Sequence, residues 1–202
     1  TSPVVRFVAS INKGRKYLLP IILPNGKCVI FGGSEQGLSV YVYMPEMFDP
    51  QTETWTSLAA ASVPRSYHGV ALLLADGRVW TAGSTPNRAI WELRTEIFAP
   101  AYYFETRPAI SGSPTVGDYG GTIVIPTLDA LNINSVSLLR LGSSTHHYDT
   151  DIRLIWLQIV GSSSNSVTVS APINARLAPP GYYMIFILNG SEVPSVARII
   201  KI

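Results

Sequence analysis

The chain has 202 residues, 47% of them hydrophobic and only 14% charged, with 16 glycines and 15 prolines. That length buries a sizeable core, while the frequent turn residues exclude disorder, coiled coils and helical bundles. A net charge of +2, from 15 basic and 13 acidic residues, supplies no field for nucleic acid or an anionic membrane, and no run approaches the roughly 20 apolar residues of a spanning helix.

The chain begins Thr1-Ser2-Pro3, with neither an initiator Met nor a leader pattern, so a fragment is expected. Strands are predicted over 17–23 and 28–31, joined at Asn25-Gly26, then over 40–43 and near Trp55. A second set starts over 70–74 and 79–82, joined at Asp76-Gly77. Both dipeptides accept the positive φ angles of two-residue hairpin turns. The two sets form a repeat. Arg15-Lys16-Tyr17 recurs 50 residues on as Arg65-Ser66-Tyr67, and Glu46-Met47-Phe48-Asp49-Pro50 recurs at the same spacing as Glu96-Ile97-Phe98-Ala99-Pro100. A period near 50, with a hairpin, glycines after the next strand and an aromatic near the end of the unit, predicts four-stranded blades of a kelch-type β-propeller. Two units cannot close a ring of about four to eight blades, so missing upstream blades are expected.

From Thr106-Arg107-Pro108 the period is lost, giving predicted domains of 1–105 and 106–202. In the second, strands are predicted over 122–125, 135–140, 154–159, 166–170, 182–188 and 196–202. Turn signals at Gly120-Gly121, 132–134, 161–165, Pro179-Pro180-Gly181 and Asn189-Gly190 separate them. This spacing predicts an immunoglobulin-like β-sandwich without the cysteine pair of antibody domains, and so an all-β protein throughout. Asn189-Gly190-Ser191 is also a glycosylation sequon, but Asn-Gly reads better as a hairpin turn.

Cys28 is the single cysteine, which rules out an intrachain disulfide and a cysteine zinc cluster. In its apolar strand it reads as a small buried hydrophobe. The three histidines, His68, His146 and His147, fall in two short stretches, one per domain. Imidazoles with a neighbouring phenolate such as Tyr67 suit Cu(II) in tetragonal geometry, whereas zinc takes a fuller set of Cys, His and carboxylate. The same residues also read as structural or solvated side chains, and spacing leaves that choice open. Asp149 and Asp151, ahead of Arg153, read as loop caps and an ion pair rather than a catalytic pair. No nucleophile elbow, phosphate loop, zinc-protease helix or dinucleotide fingerprint supports hydrolase or nucleotide chemistry.

Val63-Pro64-Arg65-Ser66-Tyr67-His68-Gly69, continuing to Asp76-Gly77-Arg78-Val79, resembles the last complete propeller motif of the galactose oxidase and glyoxal oxidase family of copper radical oxidases. Ser144-Thr145-His146-His147-Tyr148-Asp149 resembles the histidine loop of the C-terminal, early-set immunoglobulin-like domain of that family. Ala178-Pro179-Pro180-Gly181-Tyr182-Tyr183-Met184 and Val193-Pro194-Ser195-Val196-Ala197 resemble its closing strands. The resemblance implies copper held by two tyrosines and two histidines, with a radical on one tyrosine cross-linked to a cysteine.

Carried over residue by residue, the resemblance makes Tyr67 the axial tyrosine and general base, and His68 and His146 copper ligands. Tyr17 becomes a substrate-pocket residue one blade earlier. His146 is preferred to His147 because it directly follows Thr145, and His147 is expected to point elsewhere. The radical tyrosine and its cysteine are expected on upstream residues not in this chain. The implied function is oxidation of a small-molecule primary alcohol or aldehyde with reduction of O2 to H2O2 in an extracellular enzyme, the fragment alone being inactive. The alternative is a non-catalytic kelch and immunoglobulin-like module binding carbohydrate or protein, because fold does not imply function.

Overall fold

The computed structural model describes residues 3–85 and 91–202; Thr1 and Ser2, the start read above, lie outside them. Apart from two 3₁₀ turns, Ala101–Phe104 and Ala130–Asn132, the regular elements are strands. Short runs of β-branched and aromatic residues between glycines and prolines dictate this. No helix among the described residues is long and apolar enough to cross a membrane.

β1 (Leu19–Ile22) and β2 (Cys28–Phe31) pair antiparallel, Leu19 opposite Phe31 and Ile22 opposite Cys28. A small hairpin of β3 (Ser34–Gln36) and β4 (Ser39–Tyr41) follows, and then β5 (Glu46–Asp49) and β6 (Thr54–Ser57) complete a sheet in the order β1-β2-β5-β6. The strand expected over 40–43 is therefore corrected. Val40 is 50% exposed in the inserted hairpin, whereas Met47 of β5 packs on the core and takes the third place in the sheet.

The second unit is a three-stranded sheet of β7 (Gly69–Leu73), β8 (Val79–Gly83) and β9 (Glu96–Phe98). The β1–β2 and β7–β8 turns have the same geometry. Gly26 and Gly77 both sit at φ +82°, donating to Leu23 O and Leu74 O, while Leu23 and Leu74 donate to Lys27 O and Arg78 O. Only the glycine is left-handed, so each is a three-residue loop ending in a glycine bulge rather than the expected two-residue turn.

The sandwich has two four-stranded sheets. One joins β10 (Thr115–Val116), β11 (Thr122–Pro126), β16 (Ile159–Ser162) and β17 (Ser166–Ser170); the other joins β12 (Ile133–Arg140), β15 (Leu154–Leu157), β18 (Tyr182–Asn189) and β19 (Arg198–Lys201). A separate hairpin of β13 (Ser144–Thr145) and β14 (Tyr148–Asp149) projects between β12 and β15. The single strand expected over 154–159 is two strands in different sheets. Inward residues alternate along β11 and β17, where Ile123, Ile125, Val167 and Val169 are fully buried, as a strand packed on one face requires.

β18 departs from that alternation because both of its faces are covered. Tyr183, Ile185 and Ile187 enter the sandwich core, while Met184, Phe186 and Leu188 pack with Ile22, Leu73 and Ala75 of the blades. Each such side chain contributes about 1.5–3 kcal/mol of burial. Arg107 reinforces the joint, donating from Nη1 to Asp76 O (2.7 Å), from Nε to Pro194 O (2.7 Å) and from Nη2 to Ser195 O (2.6 Å). The joint holds the β13–β14 hairpin against β7 and β1.

Candidate metal centre

The 50-residue repeat has a structural meaning at the entry of each first strand. Arg15 and Arg65 lie two residues before Tyr17 and Tyr67, and both guanidinium groups are buried. Arg15 pairs with Glu46, both side chains being 1% exposed, and donates to Met44 O at 3.1 Å. Arg65 donates to Gly83 O (2.8 Å) and Arg94 O (2.7 Å), with Glu96 at 3.7 Å. In each unit the arginine ties the tyrosine-bearing loop to the third principal strand. Burial pulls both arginines below their ordinary pKa, with the facing carboxylates acting in the opposite direction; a guanidinium nonetheless stays charged.

The turn carrying Tyr67 and His68 is fixed by backbone bonds. Gly33 N donates to Arg65 O (2.7 Å) and Thr85 N to Tyr67 O (2.8 Å), while Ser66 N donates to Ser84 Oγ (2.9 Å). His68 sits at φ +61°, and Thr85 Oγ1 lies 3.3 Å from its Nδ1. Gly83 supports this turn from β8: its φ is +64°, and a methyl there would stand 2.8 Å from His68 O. Gly83→Ala is expected to cost at least about 1–2 kcal/mol for the left-handed backbone alone. It should also displace His68, lowering both the melting temperature and Cu(II) affinity; unchanged values in both assays would refute this support.

His146 and His147 form the two-residue turn of the β13–β14 hairpin, at φ +50° and +72°. Both are left-handed, as the type I′ turn between twisted strands demands, and neither is the Asn or Gly that this turn prefers. Thr145 Oγ1 lies 2.7 Å from His146 Nδ1. Asp149 caps the base of the hairpin, accepting from the backbone N–H of Ser143 (2.8 Å) and of Asp151 (2.9 Å). Asp151 pairs with Arg140 at 3.2 Å. The capping role read from the sequence matches Asp149, whereas the ion pair forms with Arg140 rather than with the nearby Arg153, whose Nη1 donates to Leu177 O at 2.6 Å.

Three residues from two distant parts of the chain converge, the neighbours Tyr67 and His68 with His146. Ring centroids of Tyr67 and His68 are 3.9 Å apart, those of His68 and His146 5.2 Å, and those of Tyr67 and His146 6.0 Å. An imidazole centroid lies about 3 Å from a metal bonded at about 2 Å, so two imidazoles on one ion have centroids within about 6 Å of each other. The His68–His146 separation meets that limit. Tyr17 joins the group, its ring 5.4 Å from Tyr67. His147 does not point elsewhere, contrary to expectation: its ring is 5.3 Å from Tyr17 and 5.9 Å from Tyr67. Burial lowers the His147 pKa, and the neighbouring His146 and His68 lower it further.

The donor chemistry fits Cu(II). Each of His68 and His146 has a threonine hydroxyl at Nδ1, which orients the ring and leaves Nε2 available. Both rings are exposed while Tyr67 is half-buried, so one side of the group is open. Among the described residues no group of three or more His, Cys, Asp or Glu side chains forms a metal set, so a metal held by His68 and His146 would need a further donor such as the phenol of Tyr67. Cys28 stands apart at the start of β2, opposite Ile22 and Phe48, and burial raises its thiol pKa.

Kelch-type blades joined to an early-set immunoglobulin-like sandwich, with tyrosines and histidines meeting at the junction, define the architecture. Residues 107–202 match the model of the galactose oxidase-like, early set domain, and residues 22–61 match the kelch motif. The whole chain is 34% identical to a galactose oxidase of Gibberella zeae, covering 32% of that protein. Over 90% of its length it is 31% identical to the aldehyde oxidase GLOX of Vitis pseudoreticulata, covering 40% of that protein. A solved structure, described as a novel fungal alcohol oxidase with catalytic diversity among the AA5 family in complex with copper, matches with a TM-score of 0.87. It is 32% identical, over 96% of this chain and 44% of the other. The chain thus resembles galactose oxidase- and glyoxal oxidase-like proteins, and it spans about a third of the first of these relatives.

Proposed function

We propose that this chain is the C-terminal portion of a secreted copper oxidase that oxidises primary alcohols or aldehydes and passes the electrons to O2. Residues 1–105 are its last propeller blades and 106–202 its early-set sandwich. The observation that carries this reading is the meeting of Tyr67 and His68, from the blades, with His146, from the sandwich. The names of the oxidase relatives and the copper-bound structural neighbour support it. Exposed apolar side chains such as Val5, Phe7 and Leu93, at 99%, 104% and 84%, suit blades that pack on further blades.

Copper, when bound, supplies one-electron redox chemistry and acidifies a hydroxyl brought to it. His68 and His146 would hold the ion, the two threonine hydroxyls at their Nδ1 atoms orienting the rings. Tyr67 is the proton acceptor: as a phenolate its oxygen takes the proton of the substrate hydroxyl and becomes the neutral phenol, the role of a general base. Tyr17 forms the adjacent wall against which the substrate is oriented. The balance is RCH2OH + O2 → RCHO + H2O2, a two-electron change that copper alone does not cover. The second one-electron centre, a tyrosyl radical, belongs to upstream residues outside this chain.

Peroxide release from primary alcohols and from glyoxal tests the reading, with the complete gene product and the 202-residue chain both copper-loaded and chemically oxidised. The complete protein is expected to turn over and the 202-residue chain to give no peroxide. Turnover by the shorter chain would move the radical to Tyr17 or another local residue. Inactivity of the complete protein on every such substrate would sink the oxidase reading.

A further inference from the structure

His147 has no task in the oxidase reading, yet its environment is costly to maintain. It sits at φ +72°, in the second central position of the hairpin turn, where glycine is the unstrained residue. Its Nδ1 is buried and has no hydrogen-bond partner among the described residues, so packing rather than a polar bond holds the ring. The ring meets Tyr17 edge-on at 5.3 Å, lies 5.9 Å from Tyr67 and 6.0 Å from the adjacent Tyr148, while Tyr17 and Tyr67 are 5.4 Å apart. Tyr67 is therefore shared by two groups of rings, one with Tyr17 and His147, the other with His68 and His146.

We propose that His147 is a positioning residue, its ring the wedge that orients the Tyr67 phenol toward the His68–His146 pair. This rests on the reading of Tyr67 as a copper-side phenol. A backbone strain and an orphaned nitrogen are retained because a flat ring at this point of the turn fills the gap between hairpin and blade, and sets one face of Tyr67. Thr85 fixes the backbone of Tyr67 through two bonds to its carbonyl, but no hydrogen bond among the described residues fixes its phenol ring. That leaves packing to do so, and His147 and Tyr17 flank it.

Two variants separate the wedge from other roles, measured in the complete gene product by the phenolate-to-Cu(II) absorption band, Cu(II) affinity and the melting temperature of the metal-free protein. His147→Gly removes the ring and relaxes the turn. It is expected to melt no lower than the parent, yet to bind Cu(II) about 10-fold more weakly with a shifted band, the scale of losing a group that orients a ligand. His147→Phe keeps a flat ring without nitrogens and is expected to retain the parent's band and affinity. His147→Gly with the parent's band and affinity overturns the wedge, as does a melting temperature that falls together with affinity, which marks a merely structural role. His147→Phe as impaired as His147→Gly also overturns it, by showing that the nitrogen matters. A parent protein with no phenolate band overturns the copper-side reading of Tyr67 itself, and so is told apart from failure of the wedge.

Discussion

Alanine at His68 or at His146 is expected to weaken Cu(II) binding at least about 100-fold, beyond the roughly 10–100-fold cost of losing an outer partner of a ligand. Each residue furnishes one of two imidazoles 5.2 Å apart, while His147, the third histidine, packs on Tyr17 and Tyr67. Both rings are exposed, so the metal-free stability of the variants should stay within about 0.5 kcal/mol of the parent. Competition titration against a chelator reads the affinity and calorimetry the stability. Copper should raise the melting temperature of the parent by binding only the folded form, and barely that of the variants. Equal affinity in parent and His146→Ala would remove the sandwich from the metal site.

Glu46→Ala is expected to be the most destabilising single change near the site, by about 3–5 kcal/mol, because it strands a buried cation. The Arg15 guanidinium would keep only carbonyl acceptors, at Lys13, Gly32 and Met44. The backbone N–H of Asn12 would also lose Glu46 Oε2, 2.8 Å away. The corresponding change in the second unit, Glu96→Ala, should cost only about 1–2 kcal/mol. Glu96 is 24% exposed and 3.7 Å from Arg65, whose charge already rests on the carbonyls of Thr81, Gly83 and Arg94. Urea unfolding of the two variants gives the comparison. Equal losses would show that the repeat positions carry equal energy despite their different burial.

The repeat made the blades legible, because an Arg-x-Tyr entry recurs after 50 residues and a hairpin ending in glycine after 51. It did not reveal that Arg15 reaches Glu46 and Arg65 reaches Glu96, although all four residues stand in the matched segments. The partners lie 31 residues apart in each unit, and only the sheet order brings them together. β2 and β17 begin and end where composition places them, since turn residues bound both. The β3–β4 and β13–β14 hairpins were missed because strands of two or three residues carry no periodicity. Missing the second of these also hid His147: without a two-residue turn, nothing in the letters says that neighbouring histidines face the same tyrosine.

The convergence of Tyr67, His68 and His146 on one copper ion is tested most directly by electron paramagnetic resonance of the Cu(II)-loaded complete protein with 15N-labelled histidine. Hyperfine structure from two imidazole nitrogens is expected in the parent, with one nitrogen lost in His68→Ala and one in His146→Ala. A parent spectrum with coupling to one histidine or none, or a two-nitrogen pattern that survives His146→Ala, would contradict a metal centre shared between the blades and the sandwich.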